Sequence, residues 1–575
     1  MTTDASSSPT AAFATTLVDE WARAGLTDAV VAPGSRSAPL ALALARDERF
    51  RVHVVIDERS AAFFALGIGR ESGRAAIVCC TSGSAGAHFH PAVLEADLAG
   101  VPLLVCTANR PPELLDTGAG QTIEQHHLFG GAVRWFAAPG APTAIPGANA
   151  VWRSVAARAV TETNGPPAGP VHLDLAFREP LAADAPTAIE PGRADGAPWT
   201  VTMAATRTAP PARVRALAER LRGVERGLFV AGWGAGVEPN TMTALAARLG
   251  WPVLADAISG LREGEPAIST YDALVRDAKF AASHRPDLVL RVGAPLTSKV
   301  TTAWLDPEIP QIVVDPDDRW LDPHRAARER IAATAEPLLR ALVDEMHDAP
   351  RESEWLASWR AAEVAARRAI DAELDATDEP NDARVARDVY AAIPDGGALL
   401  VASSMPVRDV EWFAAPRTGL QVHANRGANG IDGLVSTALG IASARTGPTV
   451  ALLGDLAWLH DSNGLLAARA VAGTGAALTF VVIDNGGGGI FHFLPAGRLP
   501  EREQLFTTPP SADPVALGRA YGIDIEIVDR AAAVAPRLQA ALAAGGVRAL
   551  VVRTDRHRAV AQHDAIWHSV ARSSR

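Results

Sequence analysis

Asp455 and Asn485 each stand at the end of an apolar run. The first closes PTVALLGD and is followed by Leu456. The second closes ALTFVVIDN and opens the glycine run Gly486 to Gly489. A short apolar run ending in a polar residue reads as a buried strand whose last residue reaches the sheet edge. Thirty residues separate the two, about one β-α-β crossover, which puts both at the same edge of one parallel sheet. A carboxylate, an amide oxygen and a nearby backbone carbonyl make a hard oxygen site suited to Mg2+ or Ca2+. Mg2+ takes few ligands from protein and completes its shell with water and phosphate oxygens. A glycine run beside such a site lets backbone approach a diphosphate closely. Asp and Asn are also common turn residues, and spacing alone leaves both readings open.

The elements that must position these residues alternate along the chain. In the first part, strands DAVVAP, RVHVVIDE, RAAIVCC and VPLLVCTA are separated by helical stretches such as SAAFFALGIGRES and AGAHFHPAVLEADLAG. Continuous apolar strands between helices indicate a parallel sheet covered on both faces. The turns GSRS, DERS, TSGS and NRPPE follow strand C-termini, where ligands bind in such folds. An Ala-, Pro- and Gly-rich linker comes next. A second α/β unit holds RGLFVAGWGAG and PDLVLRVGAPLTSK, the charged helical stretch RESEWLASWRAAEVAARRAIDAEL follows, and a third α/β unit carries Asp455 and Asn485. The expected fold is α/β, with three doubly wound parallel-sheet domains in series: 1–182, a linker at 183–212, 213–350, a helical linker at 351–385, and 386–575.

The net charge of −11 argues against a nucleic-acid surface. No apolar run is long enough to span a bilayer, and MTTDASSSPTAAF lacks the pattern of a signal peptide. Three cysteines, Cys79, Cys80 and Cys106, lie in strand-like segments and read as small core residues of a cytoplasmic protein. All but two of the 54 basic residues are arginine, the exceptions being Lys279 and Lys299. His88, His90, His126 and His127 have no Cys or Glu framework that would make a zinc site. The turn GWGAG (232–236) is a faint dinucleotide fingerprint.

G-D-x, about thirty residues, then N-x-G resembles the motif by which thiamine-diphosphate enzymes hold Mg2+ and the cofactor's diphosphate. Three α/β units match the pyrimidine-binding, central and diphosphate-binding order of that superfamily. Leu456 departs from its usual GDG. The stretches VAPGSRSAPLALAL (31–44), TANRPPELLDTGAGQTI (107–123), SSMPVRD (403–409), NRGANGIDGLVSTALG (425–440) and NGGGGIFHFLP (485–495) are, taken together, similar to those of the 2-succinyl-5-enolpyruvyl-6-hydroxy-3-cyclohexene-1-carboxylate synthase (MenD) family. The resemblance runs over nearly the whole chain and is weak across 182–250.

The resemblance implies a thiamine-diphosphate-dependent transferase with Mg2+, or Mn2+ in its place. It implies decarboxylation of 2-oxoglutarate and 1,4-addition of the resulting carbanion to isochorismate, in menaquinone biosynthesis. The implied metal ligands are Asp455, the Asn485 side chain and the Gly487 backbone oxygen. Glu58 would hold the aminopyrimidine in its imino form, although a glutamate at a helix N-terminus is also favoured by the macrodipole. Ser404, Met405, Ile431, Gly454, Leu456, Gly488, Ile490 and Phe491 match positions around the cofactor, with Ile431 propping its bent shape. Ser35, Arg36, Arg110, Gln121, Lys299, Ser404, Arg408 and Arg426 match positions lining the substrate pocket. Both substrates are dianions, and arginine's planar fork suits carboxylates. Gly120, where the family often has Asn, is a second departure. In this superfamily the glutamate and the diphosphate site meet across a subunit interface, which implies a homodimer at least, and a homotetramer is expected. The rival readings are an acetolactate-synthase-like decarboxylase with FAD, and an inactive thiamine-fold binding protein.

Overall fold

A computed structural model describes residues 8–182, 187–347 and 349–573. Residues 183–186 of the expected linker, the first seven residues of the chain, and 348, 574 and 575 lie outside the described residues.

The strands assemble into three six-stranded sheets, and every strand pair is parallel. Numbered by chain order within each sheet, the first and third run 2-1-3-4-6-5 and the central one runs 3-2-1-4-5-6. In the first and third the order reverses between strands 1 and 3. In the central sheet it reverses between strands 1 and 4. Parallel pairing demands crossovers, and helices on both faces supply them, so the inner strands are largely buried while most edge strands are partly exposed. The three-domain α/β expectation is what the sheets display. One expected helix is divided: Gly83–Phe89 is 3-10 and the α-helix begins at His90, with Pro91 in its first turn.

Two contacts between units set the site. The helix Glu58–Ser72 of the first unit crosses Leu434–Ser443 of the third at two glycines. A Cβ on Gly67 would lie 2.2 Å from the Thr437 carbonyl oxygen, and one on Gly440 would lie 2.0 Å from that of Phe64. Larger residues would force the helices apart. The central unit is joined to the third by the fully buried carboxylate of Glu411. Its Oε2 accepts from Arg262 Nη2 at 2.6 Å and from the Ala257 amide at 2.7 Å, and its Oε1 accepts from the Tyr271 hydroxyl. Burial raises the Glu411 pKa, with Asp256 nearby acting the same way. The long helix Glu354–Asp375 lies along the C-terminal helix Arg556–Ser573, with Trp359, Ile370, Ile566 and Val570 in one apolar cluster.

Candidate active site

The third sheet ends on one side in a cavity of about 520 Å³ at its topological switch point. Three strand ends build it. Ser403 and Ser404 follow Gly397–Val401, Asp455 follows Thr449–Gly454, and Asn485 follows Ala477–Asp484. The last two strands pair in parallel with Gly454 opposite Ile483, so Asp455 and Asn485 emerge side by side. Asp455 is 1% exposed. Its Oδ2 accepts the Gly487 amide at 2.7 Å, which ties the glycine run to the neighbouring strand end. Burial, aided by the charge of Asp484, pushes its pKa up to about 6 despite the amides that favour the anion.

Asn485 donates through Nδ2 to Asp382 Oδ2 at 3.0 Å, while its Oδ1 is buried without a partner. A buried amide oxygen without a protein partner, beside a buried carboxylate, makes a pair of hard oxygen donors suited to a divalent cation. The backbone there is bare. Gly487 has φ +131°, and a Cβ on it would stand 2.4 Å from the Thr507 carbonyl oxygen. A Cβ on Gly454 would meet nothing within 4 Å, so it would project into open space. These residues fit an Mg2+-diphosphate group. Among the described residues no cluster of three or more His, Cys, Asp or Glu side chains could hold a metal, and this oxygen set holds only one such residue.

Around this edge the cavity is lined by Met405, Ile431, Leu456, Gly488, Ile490 and Phe491, and by Ser404, Lys299, Arg408 and Arg426. Ser404 holds φ +75°, costly for a residue with a side chain and typical of a constrained functional turn. Its carbonyl accepts from Arg408 Nη1. Arg408 and Arg426 are both partly buried, and neither makes an ion pair with a carboxylate among the described residues. Burial lowers both pKa values, and Arg426 lowers that of Arg408 further. Arg426 Nε is buried and unpartnered. Carboxylate charges reach both groups from Asp409, Asp256, Glu95 and Glu411, but with no ion pair made, two neighbouring guanidinium groups suit an anion. Lys299 comes from the central unit, as the first residue of the helix Lys299–Trp304.

The first-unit candidates gather elsewhere. Ser35 and Arg36 follow strand 1 of the first sheet, and Arg110 follows strand 4, at the switch point equivalent to that of the third sheet. Arg110 donates to Ser82 Oγ at 2.6 Å and to the Gly120 carbonyl at 2.9 Å. Gln121 takes φ +53° and packs by Gly83. Arg36 donates to the Phe177 carbonyl and lies 3.4 Å from Glu179. Glu58 opens its helix after the N-cap Asp57, which accepts the Ser60 amide. None of Ser35, Arg36, Glu58, Arg110 or Gln121 lines the cavity of the third sheet in the same chain.

Asp382 is a cavity residue that the sequence reading missed. It lies in the stretch read as an interdomain helix, 103 residues before the amide it orients. Its one sequence signal is an acidic residue in the first helical turn after the N-cap Asn381. His126 packs edge-on against the Phe136 ring and His127 lies tilted against it. The GWGAG turn hydrogen-bonds to the neighbouring loop, Gly232 donating to the Val292 carbonyl and Ala294 to that of Trp233. A Cβ on Gly232 would lie 1.7 Å from the Ala294 carbonyl oxygen. The turn is packed closely against the backbone of that neighbouring loop.

Two like-folded units flanking a third, with a hard-oxygen edge and a bare glycine loop on one of them, define a thiamine-diphosphate enzyme. Three family models agree in chain order: the N-terminal TPP binding domain of thiamine pyrophosphate enzymes at residues 12–128, the middle domain at 193–401, and the C-terminal TPP binding domain at 404–552. Curated relatives narrow the class. A 2-succinyl-5-enolpyruvyl-6-hydroxy-3-cyclohexene-1-carboxylate synthase of Thermobifida fusca is 44% identical, over 99% of this chain and 100% of its own. Those of Chloroflexus aurantiacus (43%, over 95% and 94%) and Geobacillus kaustophilus (40%, over 97% and 98%) carry the same name. The chain belongs to the 2-succinyl-5-enolpyruvyl-6-hydroxy-3-cyclohexene-1-carboxylate synthase family.

Proposed function

We propose that this protein joins 2-oxoglutarate to isochorismate with loss of CO2, giving 2-succinyl-5-enolpyruvyl-6-hydroxy-3-cyclohexene-1-carboxylate for menaquinone synthesis in the cytoplasm. The observation that carries the reading is the pair Arg408 and Arg426, two cations without carboxylate partners beside the Asp455–Asn485 edge. A site for small monoanions has no need of two such groups. Family membership supports the same reaction.

Asp455, Asn485 Oδ1 and the Gly487 carbonyl would hold Mg2+, or Mn2+, and through it the diphosphate. Bound thiamine diphosphate supplies the carbon nucleophile that loosens the 2-oxoacid carboxylate. Ile431 would pack against the bound cofactor, and Met405, Ile490 and Phe491, which line the same cavity, would keep water from it. Arg408 and Arg426 bind substrate carboxylates, with Lys299 at the rim. Holding both dianions in one pocket converts a bimolecular encounter into an oriented one.

Glu58, Ser35, Arg36, Arg110 and Gln121 complete the site from the first unit of a second copy. What supports this is their common end of the first sheet and their absence from the cavity of their own chain. The enzyme is then a homodimer at least, with a homotetramer as the fuller assembly. Glu58 would hydrogen-bond the far ring nitrogen of the pyrimidine and so favour its imino form.

The experiment is direct. Purified protein is incubated with Mg2+, thiamine diphosphate, 2-oxoglutarate and isochorismate, and isochorismate absorbance is followed. Loss of signal only when all four are present supports the reading; no loss, with the cofactor bound, sinks it.

A further inference from the structure

The loop 425–430 carries Arg426 into the cavity on one side. On its other side it lies against the helix His90–Ala99 of the first unit of the same chain. A Cβ on Gly427 would stand 2.8 Å from both the Ala99 amide nitrogen and the Glu95 carbonyl oxygen. Between helix and loop sits the Glu95 carboxylate, 2% exposed. Its Oε1 accepts the Gly427 amide at 3.0 Å and its Oε2 accepts the Ala428 amide at 2.7 Å. Arg70, from the helix that Glu58 opens, donates to Oε1 at 3.0 Å and supplies the counter-charge. A carboxylate buried this far survives only with such partners.

We propose that Glu95 is the positioning residue for Arg426. Two successive amides bound by one rigid carboxylate fix two successive peptide planes, and with them the backbone directions of residues 426 to 428. That sets the line along which the Arg426 side chain leaves the loop. Arg426 feels the charges of Asp256, Glu95 and Glu411 but makes no ion pair with any of them, so its aim depends on its backbone. Charge-assisted hydrogen bonds to amides are about twice as strong as neutral ones. Without the clamp the loop must be ordered by the incoming dianion, and binding weakens by that ordering entropy. In its kinetic arm the proposal rests on the substrate reading given above.

The test uses Glu95→Gln in the full-length holoenzyme. The amide keeps the side chain's shape but faces one of three N–H donors with a fourth. Two measurements are made: hydrogen exchange of the segment 425–430, and steady-state kinetics with the dianionic substrates. Faster exchange is expected there, with KM for a dianion raised about tenfold, the factor that ordering one backbone residue is worth. Turnover and thiamine-diphosphate affinity should stay within about threefold of the parent. In an Arg426→Ala background the same substitution should add nothing further, because the group being aimed is gone. Unchanged exchange overturns the proposal. So does a fall of cofactor affinity and kcat in step with KM, or a full additional effect on Arg426→Ala. If Glu95→Gln does not fold, Arg70→Lys, which loosens the same carboxylate from behind, is judged by the same results. A parent enzyme inactive on both substrates would sink the reaction assignment, and the exchange measurement would still decide the clamp.

Discussion

Replacing Gly487 by alanine separates two things that the glycine run does. The residue holds φ +131°, which an L side chain rarely adopts, and its Cβ would come within 2.4 Å of the Thr507 carbonyl oxygen. That carbonyl accepts the Gly488 amide at 2.7 Å and cannot retreat without loosening the bond. The backbone strain costs about 1–3 kcal/mol and the weakened hydrogen bond about 1 kcal/mol. Together they amount to about 2–4 kcal/mol, or about thirtyfold to about a thousandfold in an equilibrium constant. If the loop keeps its path in the apo protein, the loss appears as a lower Tm. If it relaxes, the loss appears in thiamine-diphosphate affinity. Isothermal titration with the cofactor and excess Mg2+, beside thermal unfolding of the apo protein, reads both. Gly454→Ala is the companion. With φ −85° and open space around its Cβ, it should leave the apo Tm unchanged yet weaken the cofactor by intruding on the cavity. Parental Tm and parental affinity in Gly487→Ala would refute the assignment of that backbone to the cofactor edge.

Other substitutions probe other parts. Arg408→Ala should raise KM for a dianionic substrate by about tenfold to a hundredfold, the range for one hydrogen bond to a charge, while cofactor binding measured by titration moves little; equal losses would refute it. Asp382→Ala frees the Asn485 amide to rotate, and Mg2+ dependence of activity should shift to about tenfold or more higher concentration. His563 places Nδ1 2.8 Å from the Ala559 carbonyl and Nε2 2.8 Å from Asp409 Oδ1. Burial alone would lower its pKa, but the Asp409 hydrogen bond and charge hold it above the ordinary value, while burial pushes Asp409 up to about 6. A folded-state histidine pKa above the unfolded one stabilises fully below about pH 6.5 and fades as pH rises through the folded value. Both folded pKa values are raised, so the Tm gap between parent and the double variant Asp409→Asn/His563→Gln should be wider near about pH 6 than near about pH 9; a gap independent of pH would refute this.

Asp455 and Asn485 were legible because each sits at the end of its own apolar run, and parallel-sheet geometry does the rest. The three-sheet architecture followed from the same local signals. Asp382 and Glu95 were not legible. Each is an acidic residue inside a helical stretch, where the ordinary expectation is a solvated side chain. Their partners lie 103 and 332 residues away. The spacing of Gly67 and Gly440 within apolar helices likewise carried no hint of a crossing, since small residues there read as filler. The site's separation into two sheet ends came from the resemblance and not from any pattern in one strand.

The glycine crossing between Glu58–Ser72 and Leu434–Ser443 leaves no slack between the first and third units of one chain. On the shared-site reading, a defect in one half is then not confined to the molecule that bears it. A chain damaged at Glu58 and another damaged at Asp455 can pair to leave one site wholly broken and one wholly sound. Activity becomes a property of partnerships, so two individually silent alleles are able to complement each other.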